Sequence, residues 1–262
     1  MSTLRDRLWL WAHEAGAQNE HWGLPAPSRM TPTEAALYLG IPNVIMVVYG
    51  GKPEPPFDQH VLAMSPLKRV VWSIVGDSSS KRNDEKTDLE EVVGLAARFP
   101  NIAGAMMDDF FHEPNAAGAV ARYSVEDLAG FRARLRAAAR PLDLYVVLYA
   151  NQLHLPVARH LEECDVATFW TWRAEDLAKL GESFARFEAL APKARKVLGC
   201  YLWDYGTRQP MPLALFQQQY HQGLTWLREG RIEGIIFVAS CICDLRLDTV
   251  EWLRREMADL RE

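Results

Sequence analysis

The sequence predicts an α/β chain closed as a single (β/α)₈ barrel. Short apolar runs bounded by turn residues alternate with longer stretches of helical spacing, which is the signature of repeated strand-helix units. Eight such runs can be read along the chain. Neither the glycine-rich turn of a dinucleotide fold nor a Walker loop is present, so closure is favoured over an open doubly wound sheet. The length of 262 residues is close to the roughly 250 typical of one such barrel, and one domain over 1–262 is expected.

The candidate strands are 8–14, 43–49, 70–75, 102–109, 144–151, 166–172, 197–204 and 234–240. Three of the intervening helices open on recognisable caps, Thr31 before Glu34, Asp88 before Glu90 and Glu91, and Ser124 before Glu126 and Asp127. Each puts a short polar side chain ahead of acidic first-turn residues, where free backbone N–H groups need acceptors. Segments 175–190, 213–229 and 247–260 carry apolar residues at three- and four-residue spacing, 156–163 is a shorter helix, and 59–67 is the weakest pattern.

Composition removes several functional classes. An apolar fraction of 49% supplies a large core, while a net charge of -5 argues against a phosphate-backbone partner. No apolar stretch is long enough to span a bilayer, and the opening residues lack the pattern of a secretory leader. The expectation is a cytoplasmic protein with no nucleic-acid or membrane partner, unless a leader has been removed. Cys164, Cys200, Cys241 and Cys243 have no zinc-type spacing and read as buried thiols.

In barrels of this kind the site lies at the carboxyl ends of the strands. Here those ends are polar and aromatic: His13-Glu14, Tyr49, Asp77 beyond Gly76, Asp108-Asp109, Tyr149 with Asn151-Gln152, Trp170 and Trp172, Trp203-Asp204-Tyr205, and Ser240 with Asp244. Asp108 and Asp109 end an apolar strand, where a carboxylate is costly unless it is paired or used. Strand alternation predicts that one of them faces the mouth and the other the helices or loops. Asp204 is the expected partner of the inward one. A carboxyl pair on two strands suits glycosidic cleavage, one as proton donor and one as nucleophile or base, with a gap of about 5 Å for retention or about 6.5 to 9.5 Å for inversion.

His13, Glu14, Tyr49, Tyr149, Asn151, Gln152, Trp170, Trp172, Trp203, Tyr205 and Asp244 are the candidate substrate-binding residues. Indole faces stack on the apolar face of a sugar ring while hydroxyls and amides bind its rim. A small carbohydrate is therefore the expected substrate, with no cofactor and no metal called for by any motif.

On the Asp-Asp-Phe element at 108–110 and Trp-Asp-Tyr at 203–205, the chain resembles the broad class of glycoside-hydrolase barrels. The resemblance implies acids at the ends of strands four and seven. In the best-known clan of that class these are an Asn-Glu pair and a Glu; here both places hold Asp. Two rival readings share the same ends: a metal-dependent sugar isomerase, epimerase or aldolase-like barrel using Glu14, Asp109, Asp204 and Asp244 as oxygen ligands, and a non-catalytic carbohydrate-binding barrel.

Overall fold

A computed structural model describes residues 3–260. Eight parallel strands close a barrel: β1 (Leu8–Ala12), β2 (Asn43–Met46), β3 (Arg69–Val75), β4 (Ile102–Met107), β5 (Asp143–Tyr149), β6 (Val166–Trp170), β7 (Arg195–Tyr201) and β8 (Gly234–Val238). Each pairs with its sequence neighbours, and β8 returns to β1 with Leu8 opposite Ile235. The chain is thus a TIM barrel, with no free sheet edge among its eight strands.

The helices are α1 (Pro32–Leu39), α2 (Asp58–Ala63), α3 (Leu89–Arg98), α4 (Val125–Arg136), α5 (Ala158–Glu162), α6 (Leu180–Leu190), α7 (Leu213–Glu229) and α8 (Asp248–Asp259). Thr31 and Ser124 form complete capping boxes with Glu34 and Asp127. Asp88 does not cap α3 through its side chain. Its carboxylate instead accepts from Arg82 at 2.5 Å, a charge-assisted bond that outcompetes a neutral N–H donor. The predicted helix from 175 begins as a 3-10 segment, Ala174–Lys179, before α6.

The seventh predicted run is too long. β7 ends at Tyr201, and Trp203–Asp204 leaves the barrel to pair antiparallel with Gln209–Pro210. The turn lies inside an unbroken apolar and aromatic stretch, so nothing in the periodicity marks the exit.

The barrel interior is filled from the bottom upward. Trp9 packs edge-on against Tyr145, with the Arg69 guanidinium 4.5 Å above its ring. Above them Trp170 lies 5.2 Å from Trp11 and 5.3 Å from Tyr201, and this cluster forms a floor. Gly199 makes the floor possible, because a Cβ there would sit 2.1 Å from the Trp170 ring. All four cysteines are buried and unpaired, and burial pushes their thiols up. Among the described residues no helix is long and apolar enough to cross a membrane.

Candidate active site

A cavity of about 330 Å³ opens at the carboxyl ends of the strands, and all eight strands or the loops that follow them contribute to its lining. Its floor is Trp11, Trp170 and Val238; its acidic wall, from the ends of β3 and β4, is Asp77, Ser78, Asp108 and Asp109; Trp172, Tyr201 and Tyr205 face that wall.

Both strand-four aspartates line the cavity, contrary to the alternation expected of them. The cause is local. β4 ends at Met107, and Asp109 has φ +42°, a left-handed conformation in which the two-residue side-chain alternation no longer holds. The β3–β4 pairing is also irregular between Ser73 and Val75, just below the site. Such irregularities re-aim side chains at barrel rims.

The two carboxyls have different surroundings. Asp108 is only 6% exposed; one oxygen, Oδ1, accepts the Asp109 backbone N–H at 2.9 Å, and Oδ2 has no hydrogen-bond partner among the described residues. Burial, followed by the charges of Asp109 and Asp77, holds its carboxyl well above the usual carboxylate range. Asp109 instead has both oxygens engaged. Oδ1 accepts from the Tyr149 hydroxyl at 2.8 Å and Oδ2 from the Ser78 N–H at 3.0 Å. Asp77 is fully satisfied by Gly50 N–H, Ser80 Oγ and the N–H and Oγ of Ser79, so it orders its loop. Arg122 clamps the same loop from below through the carbonyls of Gly76 and Asp77.

His13 is 3% exposed, and its Nδ1 lies 2.9 Å from the Val47 carbonyl. A carbonyl can only accept, so Nδ1 carries the proton and Nε2 is left as an acceptor. Burial pushes the His13 pKa down, which keeps the ring neutral near pH 7. Tyr49 holds the rim, accepting from Trp22 Nε1 at 2.9 Å. Trp22 in turn stands edge-on to Trp172 and Tyr205, and Tyr205 donates to Gln18 at 2.8 Å.

Of the residues singled out in the sequence, the cavity brings together His13, Tyr49, Asp77, Asp108, Asp109, Tyr149, Asn151, Trp170, Trp172 and Tyr205. Five others lie outside its lining. Asp204, 4% exposed, accepts from Thr207 N–H, Thr207 Oγ1 and Ala174 N–H, so it fastens the ribbon that leaves β7. Trp203 donates to the Trp22 carbonyl at 2.9 Å. Gln152 ties the β5 end to the β4 loop, accepting from Tyr149 N–H and donating to the Phe111 carbonyl. Glu14 follows inward-facing His13 and lies 3.5 Å from His60, while Asp244 accepts the Arg29 N–H. The four oxygen ligands expected of a metal site are therefore not gathered, and no group of three His, Cys, Asp or Glu suited to a metal is found among the described residues.

Gln18, Trp22, Ser78, Tyr201 and Val238 line the cavity without having been singled out. Tyr201 could have been found as the true last residue of β7. Gln18 and Trp22 sit in an irregular loop that carries no periodic signal.

No family model matches the chain, and no curated protein matches it. Solved structures do resemble it in fold. The PgaB glycoside hydrolase domain from Bordetella bronchiseptica is 11% identical, with a TM-score of 0.57 over 96% of this chain and 98% of that one. A thermostable mutant of a xylanase from Cellvibrio japonicus is 12% identical, with a TM-score of 0.56 over 97% of this chain and 98% of that one. An FMN-binding beta-glucuronidase from Facaelibacterium prausnitzii L2-6 is 12% identical with a TM-score of 0.57 over 91% of this chain, which spans 38% of its length. The likeness is one of fold, an eight-stranded (β/α) barrel shared with these glycoside hydrolases.

Proposed function

We propose that the protein is a glycoside hydrolase that cleaves a sugar C–O bond with Asp108 as proton donor and Asp109 as its charged partner. The observation that carries this reading is the contrast between two adjacent carboxyls in one aromatic-walled cavity. Asp108 is desolvated, with one oxygen unengaged, and its pKa is raised. Asp109 is held by two donors. Two neighbouring carboxyls in environments this different can divide the acid role from that of the stabilising partner.

A sugar ring seated on Trp170, between Trp172 and the acidic wall, would present its glycosidic oxygen to Asp108 Oδ2. Proton transfer to that oxygen as the C1–O bond breaks makes the leaving group an alcohol. Positive charge then develops at C1 and the ring oxygen, and Asp109 is the carboxylate placed to stabilise it. The Tyr149 and Ser78 donors fix the direction of that carboxylate. His13 Nε2, Asn151 and Gln18 offer hydrogen bonds to ring hydroxyls.

A panel of fluorogenic aryl glycosides of both anomeric configurations tests the reading. Asp108→Asn and Asp109→Asn should each lower turnover of any hydrolysed member by at least ~10²-fold, with unchanged circular dichroism. Asp204→Asn, outside the cavity, should leave turnover within a few-fold. Near-normal turnover in both cavity variants would overturn the assignment of these two carboxyls, and binding of sugars with no turnover of any panel member would favour a carbohydrate-binding barrel.

A further inference from the structure

The acidic wall has no counterpart across the cavity. Trp170 and Trp172 from β6, Tyr201 and Tyr205 from β7, and Val238 from β8 include no carboxylate. Asp204 is tied into its turn by Thr207 and Ala174, and Glu14 sits by His60, so neither lines the cavity. Displacement at C1 requires a nucleophile on the face opposite the leaving group, while the proton donor stays beside the leaving oxygen. Two consecutive residues on one wall are poorly placed to straddle a ring. Asp109 is moreover held on that wall by the Tyr149 hydroxyl and the Ser78 N–H.

Two further features describe the ligand. Among the described residues the cavity lining holds no Lys or Arg, so nothing there balances a uronate, phosphate or sulfate. Its floor is apolar and extends beyond the Trp170 on which the ring would sit, to Trp11 at 5.2 Å between ring centroids and to Val238. A small apolar substituent on the sugar would fill it.

We infer that the substrate is an uncharged 2-acetamido-2-deoxy sugar in 1,2-trans glycosidic linkage, whose own acetamide oxygen attacks C1. This rests on the reading of Asp108 as proton donor. As Asp108 protonates the glycosidic oxygen, the C1–O bond breaks and its electron pair leaves with the alcohol. The acetamide carbonyl oxygen bonds to C1, giving a cyclic oxazolinium ion. Asp109 accepts the acetamide N–H and balances the positive charge, and the methyl group lies on the aromatic floor. Water then adds to C1, its proton passes to the Asp108 carboxylate, and the C1–O bond to the acetamide breaks. The products are the sugar, with its configuration retained, and the alcohol.

The test uses 4-methylumbelliferyl 1,2-trans glycosides of gluco and galacto configuration in two series, 2-acetamido and 2-hydroxy. Within the first series the N-acyl group is varied from acetyl through fluoroacetyl to trifluoroacetyl. Participation predicts turnover of the acetamido series, negligible turnover of the hydroxy series, and a fall of at least ~10-fold from acetyl to trifluoroacetyl as the carbonyl loses nucleophilicity. Proton NMR of the first-formed sugar should show retention. Turnover of the hydroxy series at a comparable rate, a flat response to fluorine, or inversion would overturn the inference and leave the glycosidase reading standing. If neither series were turned over while the folded protein still bound the free sugars, the glycosidase reading would fail and the inference with it.

Discussion

Replacing Gly199 by Ala adds one methyl group at the point where the barrel floor is tightest. The new Cβ would lie 2.1, 2.2 and 2.4 Å from three atoms of the Trp170 ring. Ordinary contact begins at 3.4 Å, so the ring must retreat by about 1.3 Å, the difference between 3.4 and 2.1. It has little room. Its Nε1–H donates to Thr168 Oγ1 at 2.8 Å, and Trp11 and Tyr201 pack on it at 5.2 and 5.3 Å between ring centroids. Overpacking of this kind costs ~1–3 kcal/mol, and loss of the buried indole hydrogen bond adds about 1 kcal/mol. A total of roughly 2–4 kcal/mol corresponds to a Tm lowered by about 5–15 °C for a domain of this size. Differential scanning calorimetry of wild type and Gly199→Ala measures it, and fluorescence titration with a bound sugar reports the cavity, which should bind more weakly because its floor has shifted. Adding Trp170→Leu to the alanine variant should recover part of the loss that the two single changes would sum to. An unchanged Tm together with unchanged sugar binding would refute the account of Gly199 as the residue that admits Trp170.

Two pH dependences follow from buried carboxyls of opposite sign. Asp108 has its pKa raised, by burial first and then by Asp109 and Asp77, so its contribution to stability is complete below the unfolded value of 3.8 and is lost as pH rises through the folded value. Thermal melts should show wild type losing ground to Asp108→Asn as pH climbs from 4, at up to about 1.4 kcal/mol per pH unit; parallel curves would contradict it. For Asp165, burial alone would raise the pKa, but the Leu144 N–H, Arg136 and Arg132 outweigh it and the value is lowered. Its stabilisation is therefore present above 3.8 and lost as pH falls through the folded value. Asp165→Asn should melt well below wild type at pH 7 and converge with it in acid, and a gap that stayed constant into acid would count against the ion pairs.

The barrel was legible because its two periods are separable: strands of the closed sheet are short apolar runs, and their helices carry three- and four-residue spacing with caps at Thr31 and Ser124. The cavity was legible where a strand end coincides with a change of composition, as at His13, Asp108 and Tyr149. It was not legible where the backbone departs from strand geometry inside an apolar stretch. Tyr201, Leu202 and Trp203 look like one strand, yet the barrel pairing stops at Tyr201 and the following residues turn outward, carrying Asp204 with them. Alternation misled at Asp109 for the same reason, since a single positive φ rotates its side chain into the cavity. Trp22 was hidden because the loop that holds it is fixed by long-range contacts to Tyr49 and Trp203.

The geometry around Asp109 links the fold to the chemistry. A non-glycine residue in the left-handed region costs of order 1–3 kcal/mol and persists only when its surroundings over-determine it. Here they do: the Ser78 N–H holds one oxygen, the Tyr149 hydroxyl holds the other, and the Asp109 N–H donates to Asp108. The two bonds to the Asp109 carboxylate come from the ends of β3 and β5, on either side of β4, so neighbouring strands of the closed barrel fix one carboxylate. The Asp109 N–H also stabilises Asp108 when it is ionised, but burial and the two neighbouring negative charges outweigh that single bond. Rotating Asp109 into the cavity therefore has two effects. It supplies a rigid anion beside the floor, and by its charge it raises the proton affinity of Asp108 next to it. An extended residue at 109 would have sent its side chain toward the helices and left Asp108 a more ordinary acid, so the strained turn after β4 is what couples the two carboxyls.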